Sequence, residues 1–141
     1  MALITPNFNF DGHCAEAIAL YQRAFGAQVH QLILCRDAVW DESCRNLPEE
    51  RQNQVYHAEL FIGEQRIMLC DNPDVPFEPS RSLSLMVTLD TKEQVLAAYE
   101  ALAEGGEVIY PPHATPYSSC FASLVDRFGF RWGVMTEQTE R

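Results

Sequence analysis

At 141 residues the chain is long enough for one domain with a substantial core, and its 47% apolar content is that of a soluble globule. Ten basic against twenty acidic residues give a formal charge of −10, and Lys92 is the only lysine; charge repulsion excludes nucleic acid and anionic membrane surfaces as partners. The five cysteines, Cys14, Cys35, Cys44, Cys70 and Cys120, form no Cys-x-x-Cys pair, and no signal peptide or membrane-length apolar run is visible, so the cytoplasm is the expected location.

Residues 2–10 alternate toward their end, with Phe8 and Phe10 on one face and Asn7 and Asn9 on the other, which predicts a first strand. Asp11-Gly12-His13 makes a turn. Residues 14–25 carry Ala17, Ile18, Leu20, Tyr21, Ala24 and Phe25 at helical spacing, with Gly26 as the C-terminal stop. Residues 28–35 read as a second strand. From 36 to 54 the periodicity dissolves into charged and amide residues, a long loop of the kind that serves as a lid or binding loop. Its one large aromatic, Trp40, either pins the loop to the body or borders a ligand or subunit contact.

Residues 55–69 form a predicted hairpin around Gly63-Glu64. A two-residue turn there sets His57 against Cys70 and Glu59 against Met68; a slip of one sets His57 against Asp71. Three prolines between 72 and 81 mark a linker. Residues 82–89 give the next strand. A helix over 91–103 follows, with Asp90 as N-cap and Glu93 three residues on, burying Val95, Leu96, Ala98, Tyr99 and Leu102 and stopping at Gly105-Gly106. Residues 107–110 form a strand cut short by Pro111-Pro112, 118–125 another and 130–135 the last. Residues 137–141 read as a frayed tail.

The order strand, helix, strand, hairpin therefore occurs twice, and setting Tyr21 over Tyr99 superposes the two helices. The fold class expected is α+β, a single domain of two βαβββ modules, about 1–71 and 82–137, joined by a linker at about 72–81.

The set Pro6-x-Phe8-x-Phe10-x-Gly12-x-Cys14-x-x-Ala17-x-x-x-Tyr21, Phe25-Gly26, His57-Ala58-x-Leu60-x-Ile62-Gly63, Ile67-Met68-Leu69-x-Asp71 and Asp126-Arg127-Phe128-Gly129-x-x-Trp132 resembles the PhnB-like branch of the vicinal oxygen chelate proteins. That branch is similar to the glyoxalase, bleomycin-resistance and extradiol dioxygenase families. The resemblance implies curved half-barrel sheets with helices outside, a homodimer, and a small-molecule ligand. It also implies a divalent metal held by His, Glu or Gln on four strands. At the corresponding places this chain has the Thr5–Asn7 region, Leu69 or Asp71, roughly Ser84, and Gly133, so the usual ligand set is absent. Weak metal candidates are His57, Glu59 and Asp71.

Among titratable residues His57 stands out, because period two puts His57, Glu59 and Phe61 on one strand face. There the pair is either an acid/base couple or a hydrogen-bonded, inert one on a half-exposed sheet. Asp71 either caps a turn or reaches a ligand. Asn7 and Asn9 line a cavity or face solvent, and His13, His30 and His113 read as surface residues. Arg127 and Arg131 suit an anionic ligand or surface ion pairs equally well. No glycine-rich strand-to-helix turn offers a methyl-donor site, so the ubiquinone-methyltransferase label that similar proteins sometimes carry finds no support.

Three functions follow. An enzyme of lyase, isomerase or dioxygenase type, acting on a small oxygenated metabolite, would bring His57, Glu59 and Asp71 together. A sequestering protein of bleomycin-resistance type would show an apolar cavity lined by Phe61, Trp132 and Trp40. A scaffold would show a hollow filled by side chains.

Overall fold

The computed structural model describes residues 1–78 and 80–137. Pro79, in the expected linker, and residues 138–141 of the expected tail lie outside the described residues. The chain divides into two compact units, Met1–Phe77 and Glu78–Arg141.

The first unit runs β1 (Asn7–Phe10), α1 (Cys14–Phe25), β2 (Gln28–Leu34), a segment of short helical turns that includes α2 (Glu42–Arg45), then β3 (Val55–Ile62) and β4 (Gln65–Asp71). Its sheet has the order β1-β4-β3-β2, with β1 parallel to β4 and the other pairs antiparallel. The second unit repeats this with β5 (Leu85–Leu89), α3 (Lys92–Ala103), β6 (Glu107–Thr115), β7 (Ser118–Val125) and β8 (Arg131–Thr136), in the order β5-β8-β7-β6. Two βαβββ modules of one topology are therefore present, and the α+β class holds. Among the described residues no helix is long and apolar enough to cross a membrane.

Helix α1 covers the residues expected of it and buries Cys14, Ala17, Ile18, Leu20, Tyr21 and Ala24. It ends because Gly26 takes φ 65°, a left-handed conformation open to glycine, and its N–H closes on Gln22 O. Beneath it lie Phe8 and Phe10 of β1, Leu60 of β3, and Ile67 and Leu69 of β4. In the second unit Val95, Ala98 and Leu102 of α3 share the core with Leu124, Trp132 and Val134.

Some expectations are corrected. The N-cap of α3 is Thr91, whose side chain accepts from Gln94 N while Gln94 Oε1 accepts from Thr91 N and Asp90 N. A hydroxyl with a glutamine three residues on makes the reciprocal box that Asp90 and Glu93 do not. Leu96 and Tyr99 are only half-buried. Strand β6 runs through Pro111-Pro112 to Thr115, because it is the outer strand of its sheet and irregular in register against β7, so the missing N–H groups interrupt little. The segment between β2 and β3 is folded rather than a bare loop. Asp41 accepts from Ser43 N and Cys44 N to start α2, and Cys35, Ala38 and Cys44 make a buried cluster with Ile33, Leu47 and Tyr56.

Each last strand ends on a buried polar side chain. Asp71 takes the N–H groups of Gly12, Cys14 and Val55, at 2.8, 3.0 and 2.9 Å. Thr136 accepts from Ser119 N and Cys120 N and bonds the Ser118 and Ser119 hydroxyls. In both units this residue fixes the start of the third strand. The units differ in what precedes that strand: residues 35–54 in the first, only Pro116-Tyr117 in the second.

Candidate functional site

The hairpin between β3 and β4 turns on Gly63-Glu64, with Ile62 opposite Gln65 and positive φ at Gly63. Of the two registers open to the sequence, the structure adopts the one that sets Glu59 against Met68. Burial alternates along β3: Ala58 and Leu60 are buried toward the core, while His57, Glu59 and Phe61 share the half-buried opposite face.

On that face His57 Nε2 lies 2.9 Å from Glu59 Oε2, and Arg66 Nη1 donates to Glu59 Oε1 at 3.3 Å. Arg66 reaches Glu59 because the two-residue turn puts it opposite Phe61, the next residue but one along β3. The hydrogen bond from His57, and then the Arg66 charge, hold the Glu59 carboxyl below the usual carboxylate range. Glu59 is therefore a fixed anion that orients the imidazole. The other ring nitrogen, Nδ1, has no hydrogen-bond partner among the described residues.

The depressed carboxyl has a definite sign. Its contribution to stability is complete above the ordinary glutamate value of about 4.3 and is lost as pH falls through the lower folded value. Melting curves of the parent and of Glu59→Gln should differ by a constant amount at neutral pH and converge in acid. A gap that widened in acid would contradict this assignment.

Beside the pair, Cys70 Sγ donates to Asn9 Oδ1 at 3.2 Å, since Asn9 and Cys70 are partners across β1 and β4. His57 and Cys70 open into a hollow of about 330 Å³ walled by the 35–54 segment through Cys35, Asp41, Cys44 and Gln54, with Tyr56 and Asp71. Asp41 stands in this wall with Tyr56, and its carboxyl is held low first by the Ser43 hydroxyl. The three cysteines in this wall were not legible as a group from the sequence, and neither were Tyr56 and Asp41.

The remaining site candidates lie as follows. Asp71 is on the helix-covered face of β4 with Ile67 and Leu69, and both of its oxygens are taken by backbone N–H groups; it meets the hollow but not Glu59. Asn7 is exposed. Phe61 packs against His30 with the rings tilted by 42° and centroids 4.4 Å apart. Trp40 is 63% exposed and meets Tyr56 edge-on at 5.9 Å, so it braces a wall residue from outside. Trp132 is 1% exposed and donates from Nε1 to Asp126 Oδ2 at 2.9 Å, which makes it a core residue of the second unit.

The donor set does not fit a resident divalent metal. No three His, Cys, Asp or Glu among the described residues could hold one. Glu59 is shared between His57 and Arg66, and Asp71 between three N–H groups. At Gly133, where the resemblance expects a ligand, a Cβ would come within 2.2 Å of Met86 Sδ, so a thioether occupies that place.

Comparisons with known proteins agree with this architecture. The chain is similar to protein PA1353 of Pseudomonas aeruginosa, with 30% identity, a TM-score of 0.81, and 99% of this chain and 100% of that one covered. It is similar to the PhnB protein of Bacillus cereus, with 27% identity, a TM-score of 0.74, and 96% and 99% covered. Protein YjdN of Escherichia coli K12 is 25% identical over 134 residues, covering 92% of this chain and 91% of that protein. The model of the Glyoxalase/Bleomycin resistance protein/Dioxygenase superfamily matches residues 8–134, and the chain belongs to that superfamily.

Proposed function

We propose that the protein binds a small oxygenated organic molecule in the hollow of the first unit, with His57 as its polar anchor and without a metal. The observation that carries this reading is the hollow of about 330 Å³, the size of a small-ligand site, with the oriented imidazole of His57 in its wall. Tyr56 and Gln54, which also line it, supply further polar contacts. Sequestration is the activity this supports best, because Glu59 and Asp71, the two carboxylates on the strands that carry and flank His57, are both already taken by other donors. Five free thiols suit a reducing compartment, which supports a cytoplasmic location. A homodimer belongs to the same proposal, and the exposed Val29 and Leu32 on edge strand β2 support it.

One observation favours a catalytic reading as well. An imidazole held at 2.9 Å by an ionised carboxylate is the arrangement that makes a histidine a general base, so His57 could move a proton on the bound molecule through Nδ1. Chemistry of this kind needs no metal. The His57–Glu59 couple would do it, with Arg66 keeping Glu59 charged.

The test is a thermal-shift screen of small hydroxy- and oxo-acids and polyols against the parent and His57→Ala. Losing a hydrogen bond made by a charged or polarised group removes about 1.5–3 kcal/mol, so the best compound should bind His57→Ala roughly 10- to 100-fold more weakly. Equal binding by both proteins would reject the anchor. Turnover of that compound, abolished in His57→Ala, would select the catalytic reading.

A further inference from the structure

Two of the cysteines in the wall of the hollow belong to one buried cluster. Cys35, in the turn after β2, and Cys44, in α2, pack in one buried cluster with Ala38. Ile33, Leu47 and Tyr56 close around them. The pair is nearly buried, at 5% and 3% exposed, yet both residues line the hollow. Cys70 lines it too but is turned to Asn9. Nothing in the proposed role of His57 uses the dithiol.

The surroundings decide which chemistry suits two adjacent thiols. Burial, and then the neighbouring Cys44 thiol, push the Cys35 thiol up to about 12, so reactions that begin from a thiolate are disfavoured at neutral pH. A hard divalent cation finds no third donor among the described residues. What fits is a pyramidal, trivalent centre that takes both thiols in their protonated form and leaves an uncharged product in an apolar wall.

We propose that Cys35 and Cys44 form a dithiol site for a monosubstituted trivalent arsenical, with its organic group lodged in the adjoining hollow. The reaction is a condensation. In R–As(OH)2 two As–O bonds break and two As–S bonds form; each thiol proton leaves with a hydroxide as water, and no atom changes oxidation state. The site rests on the preceding section only for the space that R occupies, beside Tyr56 and His57.

The probe is phenylarsine oxide, added in equimolar amount to the full chain kept reduced with a thiol-free phosphine. Intact mass should show one phenylarsenic group per chain, and when the adduct is unfolded in urea and then alkylated with N-ethylmaleimide, two of the five thiols should be protected relative to the untreated chain, Cys35 and Cys44 by peptide mapping. Closing a second As–S bond within one protein is an intramolecular step, so Cys35→Ser or Cys44→Ser should each weaken binding at least about 100-fold. Cys14→Ser should leave the stoichiometry unchanged, and 2,3-dimercaptopropanol should reverse the adduct. An adduct that survives either single serine variant, protection that maps to Cys70, or no stoichiometric adduct would overturn the site. The parent's protection map decides the matter even where a serine variant fails to fold. Arsenical failure with His57-dependent binding of an oxygenated acid intact removes the dithiol site alone; the converse removes the anchor alone.

Discussion

Asp71→Ala is expected to lower the free energy of unfolding by about 3–5 kcal/mol and the melting temperature by on the order of 10 °C or more, because three backbone donors lose one buried, charged acceptor together. Asp71 is 7% exposed, so water does not simply replace it. Gly12 and Cys14 begin α1, and Val55 begins β3; a single carboxylate thus ties two elements to the end of β4. Asp71→Asn keeps the shape and one acceptor oxygen but turns an NH2 toward at least one N–H, so it should fall between the parent and alanine. Urea unfolding of the three proteins gives the order. If alanine were no worse than an exposed substitution, within about 0.5 kcal/mol, the clamp would be an incidental contact.

Trp132→Ala should cost a similar amount, about 3–5 kcal/mol, for a different reason. The indole fills the second unit's core at 1% exposure, and its N–H donates to Asp126 alongside Phe128 N and Phe130 N at the β7–β8 turn. Removing it leaves a cavity and loosens that turn. Trp132→Phe keeps most of the apolar bulk and loses only the N–H, so roughly 1–2 kcal/mol is expected. Neither change should alter the affinity of the compound whose binding depends on His57. A tenfold weakening in Trp132→Phe, with stability near that of the parent, would return this residue to the binding site.

These two residues also show where sequence reading succeeds and where it stops. Local signals carried the fold: the apolar spacing of 14–25 with Gly26 gives α1 to its last residue, and the alternating run 118–125 gives β7. Pro111-Pro112 misled because an outer strand tolerates prolines, and strand order is not written in β6 itself. In the segment 36–54 the polar composition hid short turns whose stability comes from one cap and a three-residue cluster. At the site, period two was enough to pair His57 with Glu59. Arg66 needed the hairpin register. Meanwhile Asp71, which sequence left open between turn and ligand, takes its partners from positions far away in the chain. The clustering of Cys35 with Cys44 depends on how the whole segment folds back, so no spacing rule reveals it.

The hollow itself follows from the difference between the two modules. Where the second unit passes from β6 to β7 through Pro116-Tyr117, the first inserts 35–54, and that insertion supplies nearly half of the wall. A site added to a repeated scaffold in this way can change its ligand through the inserted segment while β3 and β4 keep His57 and Glu59 in place.

Amide chemical-shift mapping of the parent with the compound ranked best in the thermal-shift screen bears most directly on this account. The predicted result is a continuous set of perturbations at Tyr56, His57, Cys70 and the 35–54 segment, saturating at one site and lost in His57→Ala. Perturbations confined to the second unit, or spread over β1–α1 with His57 and the 35–54 segment silent, would contradict it.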